Sequence, residues 1–351
     1  MHTSTVIKEN AKVFPLEEAR ALTKDLMTPS ATIYWIDFLF SISLAWAAFA
    51  LAVLSPYFSL EWWAGYVVSS LMLYRAVLFT HELAHFKKGT FKFFRLMWNL
   101  LCGGLLLVPS FTYNGVHNDH HKRDVYGTKD DGEYMPFGAQ SPVHIITYMC
   151  LIFFLPFLFV LRFLILAPLS FIVPPLGRLV WQRLSSLTID LNYRRSLDQR
   201  SKLTTWRLQE LLAVVYCWSA VLLVVGGLLP AKVLVMWYLA SLFMFLLNSL
   251  RTLSAHAYTN PGDEKMSVSE QFLDSVDVPG NFLTALWAPV GLRFHATHHL
   301  FPNMPYHNLS IAHKRLKNEL SDNSQYLSAS RSSLIAALSH LWHDAAISQS
   351  R

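Results

Sequence analysis

Four long apolar stretches, arranged in two pairs, constrain what this 351-residue chain can fold into more than any other feature. The first pair covers residues 33–54 and 62–80, and the second covers residues 208–229 and 233–250. Each stretch approaches the about 20 apolar residues that a helix needs to cross a bilayer. Because the connections are too short to hold a domain, each pair predicts a transmembrane hairpin. Charged residues make up 15% of the chain, against about 25% in soluble domains, which agrees with an all-α, multipass membrane helical bundle.

Nine of the 15 histidines carry the functional signal. They form three short clusters with the spacings HxxxH, HxxHH and HxxHH, plus one histidine that stands alone. Residues three or four apart share one face of a helix, so each cluster presents its imidazoles together. Neutral imidazole binds iron, copper, zinc and nickel, and this many nitrogens predict more than one metal ion. The nine are His81, His85, His117, His120, His121, His256, His295, His298 and His299.

Two further apolar stretches are ambiguous. Residues 96–109 are too few for a span and include Asn99, which favours an interfacial, re-entrant or buried segment. Residues 145–175 are long for one crossing, short for two, and interrupted by prolines. A single crossing there would separate the third histidine cluster from the first two. We therefore predict no net crossing, and four spans in total with additional in-plane or re-entrant helices.

Basic residues predict the orientation, because they collect on the cytoplasmic side of membrane helices. Lysines and arginines follow the first hairpin and the second histidine cluster and precede the second hairpin, whereas the two short turns carry only Lys232. We therefore expect a protein of a bacterial inner membrane with its histidine clusters at the cytoplasmic ends of the spans, as a cytoplasmic metal-binding cap.

The rest of the chain is expected to be peripheral. Residues 1–31 are predicted to form a cytoplasmic segment with an amphipathic helix at 15–27, residues 32–317 the membrane domain, and residues 318–351 a soluble tail. The other histidines, including His144, His313, His340 and His343, are expected to be ordinary polar residues. The three cysteines are widely spaced within apolar stretches, which indicates neither disulfides nor a metal motif.

Two other classes of protein compete at this point. The first cluster matches the HExxH motif of zinc proteases, in which two histidines bind zinc and the glutamate, here Glu82, is the general base. A membrane metalloprotease would leave the six histidines of the other two clusters without a role. A non-enzymatic metal-binding membrane protein is the second alternative, but its histidines should line a path through the spans rather than lie at their ends.

Together these residues resemble the integral-membrane fatty acid desaturases and related hydroxylases, whose signature is HxxxH or HxxxxH, then HxxHH, then HxxHH or QxxHH. The third box continues to Pro305 as HHLFPNMP, similar to the family's HHLFPxxP. Residues 251–256, RTLSAH, resemble the segment after the fourth span that supplies an extra ligand. Residues 127–134, GTKDDGEY, are similar to GTxxDPEY, although Gly132 stands where proline is common. The resemblance covers roughly residues 35–310.

The resemblance implies a centre of two iron ions held by all nine histidines, with O2 as co-substrate and a narrow tunnel for an acyl chain. No catalytic residue is expected beyond these ligands. Removing hydrogens from unactivated methylenes is beyond any acid or base side chain, whereas a metal pair that activates O2 can do it. We therefore predict an O2-dependent desaturase acting on a lipid-linked or thioester-linked fatty acyl chain. The alternative is a hydroxylase or ketolase of the same superfamily acting on a lipid, carotenoid or alkyl chain.

The same reaction needs electrons from outside the chain. No fused haem domain with an HPGG motif is present in the sequence, so we expect a separate ferredoxin or cytochrome b5 to dock on the Lys/Arg surface. The basic surface is explained by topology, without nucleic acid.

Carboxylates near metal-binding histidines fix the tautomers of the rings. Several acidic residues lie close to the boxes in sequence and are candidates for this role. They are Glu82, Asp119, Asp124, Asp130, Asp131, Asp274 and Asp277.

Overall fold

A computed structural model describes residues 14–87, 89–202, 205–262, 264–321 and 325–348. These residues form helices and loops, with isolated β-bridges and no strand among them. Five of the helices are long and apolar enough to cross a membrane. The predicted all-α multipass architecture is therefore confirmed. The five are Ala31–Leu54, Leu60–His85, Leu155–Ile172, Trp206–Val225 and Lys232–Leu253.

The first hairpin pairs Ala31–Leu54 with Leu60–Val77, and the short helix Phe79–His85 continues the second of these. The two long helices approach closely because small side chains face each other. A Cβ atom on Gly65 would lie only 2.7 Å from the carbonyl oxygen of Ala48, so this contact requires glycine. The continuation to His85 places the first histidine cluster at the end of a membrane helix.

The second hairpin pairs Trp206–Val225 with Lys232–Leu253. It packs on the first hairpin, where the hydroxyl of Tyr66 donates to the carbonyl of Leu239 at 3.3 Å. His256 follows three residues after the last helix ends, so the lone histidine also lies at the end of a span.

Residues 145–175, which are predicted to make no net crossing, are flanked by two backbone contacts that both lie at the site end of the bundle. Before them, the N–H of Gly138 donates to the carbonyl of Tyr258 at 3.1 Å, and after them the N–H of Leu187 donates to the carbonyl of Thr112 at 2.8 Å. Tyr258 follows His256 and Thr112 lies on the helix of the second box. The segment consists of Pro142–Leu151, Leu155–Leu161, a π-helical turn at Arg162–Leu166, Ala167–Ile172 and Pro174–Leu184.

The stretch at 96–109 is also short in the structure. It begins within the helix Lys92–Trp98, continues as a π-helical turn at Asn99–Gly103, and ends before the helix Phe111–His120. It is not among the helices long enough to cross a membrane.

The remaining helices form a cap over the site end of the two hairpins. Its main members pack around a shared apolar core that includes Phe272, Phe301 and Leu309. These members are Val268–Asp274, His295–Leu300 and Tyr306–Glu319; the short helices Thr284–Trp287 and Leu197–Lys202 lie outside this core.

The predicted amphipathic helix is present as Leu16–Thr23 followed by a 3-10 turn at Lys24–Leu26. It packs on the cap, where the guanidinium of Arg315 donates to the carbonyl of Leu22 at 2.7 Å. The first 13 residues of the predicted N-terminal segment lie outside the described residues.

The described residues after 317, within the predicted soluble tail, lie against the cap rather than apart from it. They contain a 3-10 turn at Tyr326–Ala329 and a helix at Leu334–Ser348. On that helix, Leu341 and Ala345 are buried in a cluster with Phe137 and Tyr258. The C-terminal helix therefore covers the side of the site near His256.

Candidate metal centre

The structure brings all nine histidines together at the junction of hairpins and cap. They form two groups, within each of which one nitrogen from every ring lies within 4.8 Å of the others. The rings of His121 and His299 stack at 4.5 Å between centroids and join the two groups. The first group is His81, His85, His117, His121 and His298, and the second is His120, His256, His295 and His299.

The HxxHH boxes divide their histidines between the groups. In the second box, His117 and His121 enter the first group and His120 enters the second. In the third box the division is reversed, because His298 enters the first group while the other two enter the second. Each residue turns a helix by about 100°, so positions i and i+4 point nearly the same way while i+3 and i+4 diverge. An HxxHH box therefore reaches two metal positions at once.

The ring nitrogens converge in the first group. The Nε2 atoms of His85 and His117 are 2.8 Å apart, and those of His121 and His298 are 3.1 Å apart. The Nε2 atom of His81 is buried and has no hydrogen-bond partner among the described residues.

The second group has the same character. The Nε2 atom of His295 lies 2.9 Å from that of His256 and 3.2 Å from that of His299. The ring of His120 lies 5.1 Å from the ring of His299 between centroids. All four side chains are buried.

Neighbouring oxygen atoms hold the opposite nitrogen of several rings. The Nδ1 atom of His120 lies 2.8 Å from a carboxylate oxygen of Asp131, and that of His117 lies 3.0 Å from Glu133. A ring that donates from Nδ1 to a carboxylate presents a lone pair at Nε2. Lone pairs that face each other at about 3 Å repel unless a cation or a proton lies between them. The convergent Nε2 atoms therefore fit metal ions.

A longer relay holds His256. Its Nδ1 atom lies 2.9 Å from the hydroxyl of Tyr126, which donates in turn to Asp274 at 3.0 Å. The phenolic oxygen therefore accepts from Nδ1, and the Nε2 lone pair of His256 points into the second group. Asp274 acts on the ring through the tyrosine rather than directly.

Burial keeps most of these rings neutral, as metal ligation requires. It lowers the pKa values of His256, His295 and His299 well below the ordinary range. His120 differs: burial is the largest single influence and opposes its charged form, but the carboxylates of Asp131, Glu133 and Asp274 together outweigh burial and raise the pKa. Burial raises the pKa of Glu133 to about 8. A nearby metal cation would favour the ionised carboxylate, so metal binding at this site should release protons.

Three of the predicted carboxylates support a histidine of the two groups, either by contacting its ring or through an intervening tyrosine. Asp131 contacts His120, Asp274 acts through Tyr126, and an oxygen of Glu82 lies 3.4 Å from Nδ1 of His81. Glu82 is held mainly by the hydroxyl of Tyr34 and by the backbone N–H of Tyr306, the latter at 3.1 Å.

The other four predicted carboxylates do not contact the nine rings. Asp119 lies two residues after His117, a rotation of about 200° that turns it to the other face of the helix, where it accepts from Tyr193 at 2.9 Å. Asp124 and Asp130 are exposed in the loop that follows the second box. Asp277 accepts from Thr297 and from His313, which lies outside the metal groups. Among the described contacts, these four carboxylates hold none of the nine ring nitrogens directly.

Glu133 is the supporting carboxylate that the sequence reasoning missed. A signal was available, since Glu133 stands in the GTxxDPEY-like stretch two residues after Asp131. Tyr113 is a second omission, because its ring stacks on His117 at 4.7 Å and its hydroxyl lies 2.9 Å from Nδ1 of that ring.

The contacts of Glu82 and the size of the first histidine group do not fit a zinc protease site. A protease glutamate must be free to take a proton from a metal-bound water. Both Glu82 contacts, with Tyr34 and Tyr306, instead anchor its carboxylate within the protein. His81 and His85 also share their group with three further histidines, whereas the protease site needs only one more ligand.

Comparisons with known proteins agree with the geometry. The family model for fatty acid desaturase matches residues 60–330. A ceramide hydroxylase of Caulobacter vibrioides (strain NA1000 / CB15N) is 41% identical over 327 residues, which cover 93% of this chain and 92% of that protein. No solved structure matches the chain.

Proposed function

We propose that this chain, which belongs to the fatty acid desaturase family, is a lipid hydroxylase that inserts one oxygen atom into a C–H bond of a ceramide or a similar long-chain lipid. The family uses a histidine-ligated metal centre. The observation that carries the proposal is the convergence of nine histidines into two metal-binding groups at the ends of the membrane helices. The five helices long and apolar enough to cross a membrane support a substrate that is a membrane lipid.

Two iron ions are the proposed occupants of the two groups, and when bound they would supply the activation of O2. The reaction consumes one C–H bond, O2, two electrons and two protons, and yields one C–OH group and water. Asp131 orients His120, and Glu133 with Tyr113 orients His117. Tyr126 orients His256. The side chains of His117, His120, His256 and Asp131 are buried, which limits the access of bulk water to the centre.

We prefer hydroxylation to desaturation because the similar protein from Caulobacter vibrioides is a ceramide hydroxylase. The sequence alone predicts a desaturase, with hydroxylation as the alternative, and the ceramide hydroxylase favours that alternative. Acyl desaturation stays a second candidate, supported by the third box, which begins with His295 rather than glutamine and continues as HHLFPNMP. Both reactions use the same oxidant and differ in the product.

Expression in a host that makes ceramides is expected to produce a lipid that has gained one oxygen atom, measured by mass spectrometry of the total lipids. His120→Ala should abolish this species because His120 belongs to the second metal group. His343→Ala is the matched control, since His343 is exposed on the C-terminal helix. A lipid that has lost two hydrogens would instead establish the desaturase. Unchanged lipids in all three strains would contradict both reactions.

The electron donor is proposed to bind an open cleft beside the second box. The cleft has a volume of about 400 Å³, and Asp119, which precedes His120, forms part of its lining. Its lining carries Lys122, Lys129 and Arg194 against Asp119 and Asp130, and this positive balance suits an acidic ferredoxin or cytochrome b5. A donor there would be only a few bonds from a metal ligand.

Lys129→Glu with Arg194→Glu is expected to slow donor-dependent turnover by about tenfold at low salt, because reversed charge weakens steering of an acidic partner. Lys314→Glu, an exposed change on another helix, should have little effect. Turnover with a small chemical reductant should be unchanged in all variants. Turnover without any protein donor or chemical reductant, or impermeant labelling of Lys129→Cys from the outer face of intact cells, would contradict the proposed cytoplasmic docking.

A further inference from the structure

A buried polar cluster lies behind the third histidine box, outside the two metal groups. Asp277 accepts from the hydroxyl of Thr297 at 2.6 Å, and its same oxygen lies 2.9 Å from Nδ1 of His313. The hydroxyl of Tyr326 lies 2.6 Å from that of Thr297 and 3.0 Å from the same His313 nitrogen. All four side chains are buried.

Thr297 connects this cluster to the metal centre. It lies within the six-residue helix His295–Leu300, one residue before His298. The first N–H groups of a helix have no partner within it, and the second oxygen of Asp277 accepts from the N–H of Thr297 at 3.0 Å. So short a helix is unstable alone. Two contacts from one carboxylate therefore fix the direction in which this helix presents its histidines.

The chain beyond the third box holds Asp277 in place. The N–H of Asp277 donates to the carbonyl of Ala329, and the N–H of Arg331 donates to the carbonyl of Asp277, each at 2.8 Å. Tyr326, in the same segment, reaches Thr297 directly. Residues 326–331, predicted as part of a soluble tail, thus contact both sides of the cluster.

We propose that Asp277 and Tyr326 are positioning residues that set the rotation of the third histidine box through Thr297, so that residues 326–331 belong to the metal centre. The inference rests on the proposed function of the two histidine groups. The third box supplies His298 to one group and His295 and His299 to the other. A rotation of its helix would therefore displace ligands of both metal ions together.

The test uses two matched pairs of variants in the full-length protein, purified in lipid nanodiscs and loaded with iron alone. Thr297→Val keeps the shape but loses the hydroxyl, whereas Thr297→Ser keeps the hydroxyl. Tyr326→Phe and Tyr216→Phe each remove one hydroxyl, but that of Tyr216 bonds to Leu100, away from the histidine groups. The measurements are iron per chain, the Mössbauer spectrum of the iron, and product formed per O2 consumed.

Thr297→Val and Tyr326→Phe are expected to lower iron affinity or product formation by about 10-fold to 100-fold, the effect of losing outer partners of metal ligands. Their Mössbauer spectra should change at both iron sites, while Thr297→Ser and Tyr216→Phe match the wild type. If Thr297→Val does not fold, the Tyr326→Phe and Tyr216→Phe pair decides.

The proposal is overturned if Tyr326→Phe retains the wild-type iron content, spectrum and product per O2 and changes only the melting temperature. Because the spectrum is read without any product, failure of the lipid hydroxylase proposal is distinguishable. In that case the wild type would bind iron in both groups yet form no hydroxylated lipid.

Discussion

Replacing His298 with alanine is expected to lower product formation by more than about 100-fold, the upper end of what the loss of a mere outer partner costs. His298 lies in the first histidine group, with its Nε2 atom 3.1 Å from that of His121. Its side chain is buried. Metal analysis should show less iron per chain, together with the lost activity.

His343→Ala is the control for this experiment, because it also removes one imidazole but from an exposed position. It should retain the wild-type metal content and activity. Two irons per chain in the wild type and fewer in His298→Ala would support the two-group site. A single zinc ion with proteolysis that depends on Glu82 would instead restore the protease alternative.

Replacing Glu210 with leucine is expected to lower the free energy of unfolding by about 3 to 5 kcal/mol, the cost of leaving a buried charge unpaired. Glu210 is buried in the helix Trp206–Val225 and pairs with Arg162, which lies between the two hairpins in the chain. Arg162 is 4% exposed. Arg207 also pairs with Glu210, at 2.5 Å, but it is partly exposed and can turn toward water.

The double variant Arg162→Leu with Glu210→Leu should be more stable than Glu210→Leu alone, since it removes the unpaired charge. Glu17→Gln is a surface control, because the pair of Glu17 with Arg20 is exposed and should contribute less than about 1 kcal/mol. Reversible unfolding in lipid nanodiscs would measure these differences. Equal losses in the single and double variants would contradict the buried-charge explanation.

Periodicity and length were enough to predict the hairpins. Residues 33–54 and 233–250 were predicted as spans, and the observed helices are Ala31–Leu54 and Lys232–Leu253. Apolar runs of this length have few stable alternatives, because backbone polar groups in a bilayer must be satisfied within the helix. Residues 145–175 include Leu155–Ile172, a helix long and apolar enough for one crossing, so the number of crossings in this stretch stays a prediction.

The supporting carboxylates were much harder to predict. Asp119 and Asp131 are each close to the second box in sequence, yet only Asp131 contacts one of its rings. The rotation of the helix turns Asp119 away from the rings, whereas the loop after the second box brings Asp131 back to His120. Neither Asp124 nor Asp277 could be assigned from sequence, because distance along the chain says little about direction in space.

The sequence by itself determined the family resemblance, the membrane hairpins and the nine histidines, because apolar length and helical spacing are local properties. The tertiary structure alone decided how those histidines are shared. It pairs His117 with His298 and His120 with His299 across different boxes. It also brings Tyr326 to the back of the third box. Such contacts join residues far apart in the chain, so they depend on how the helices pack, which no local pattern encodes.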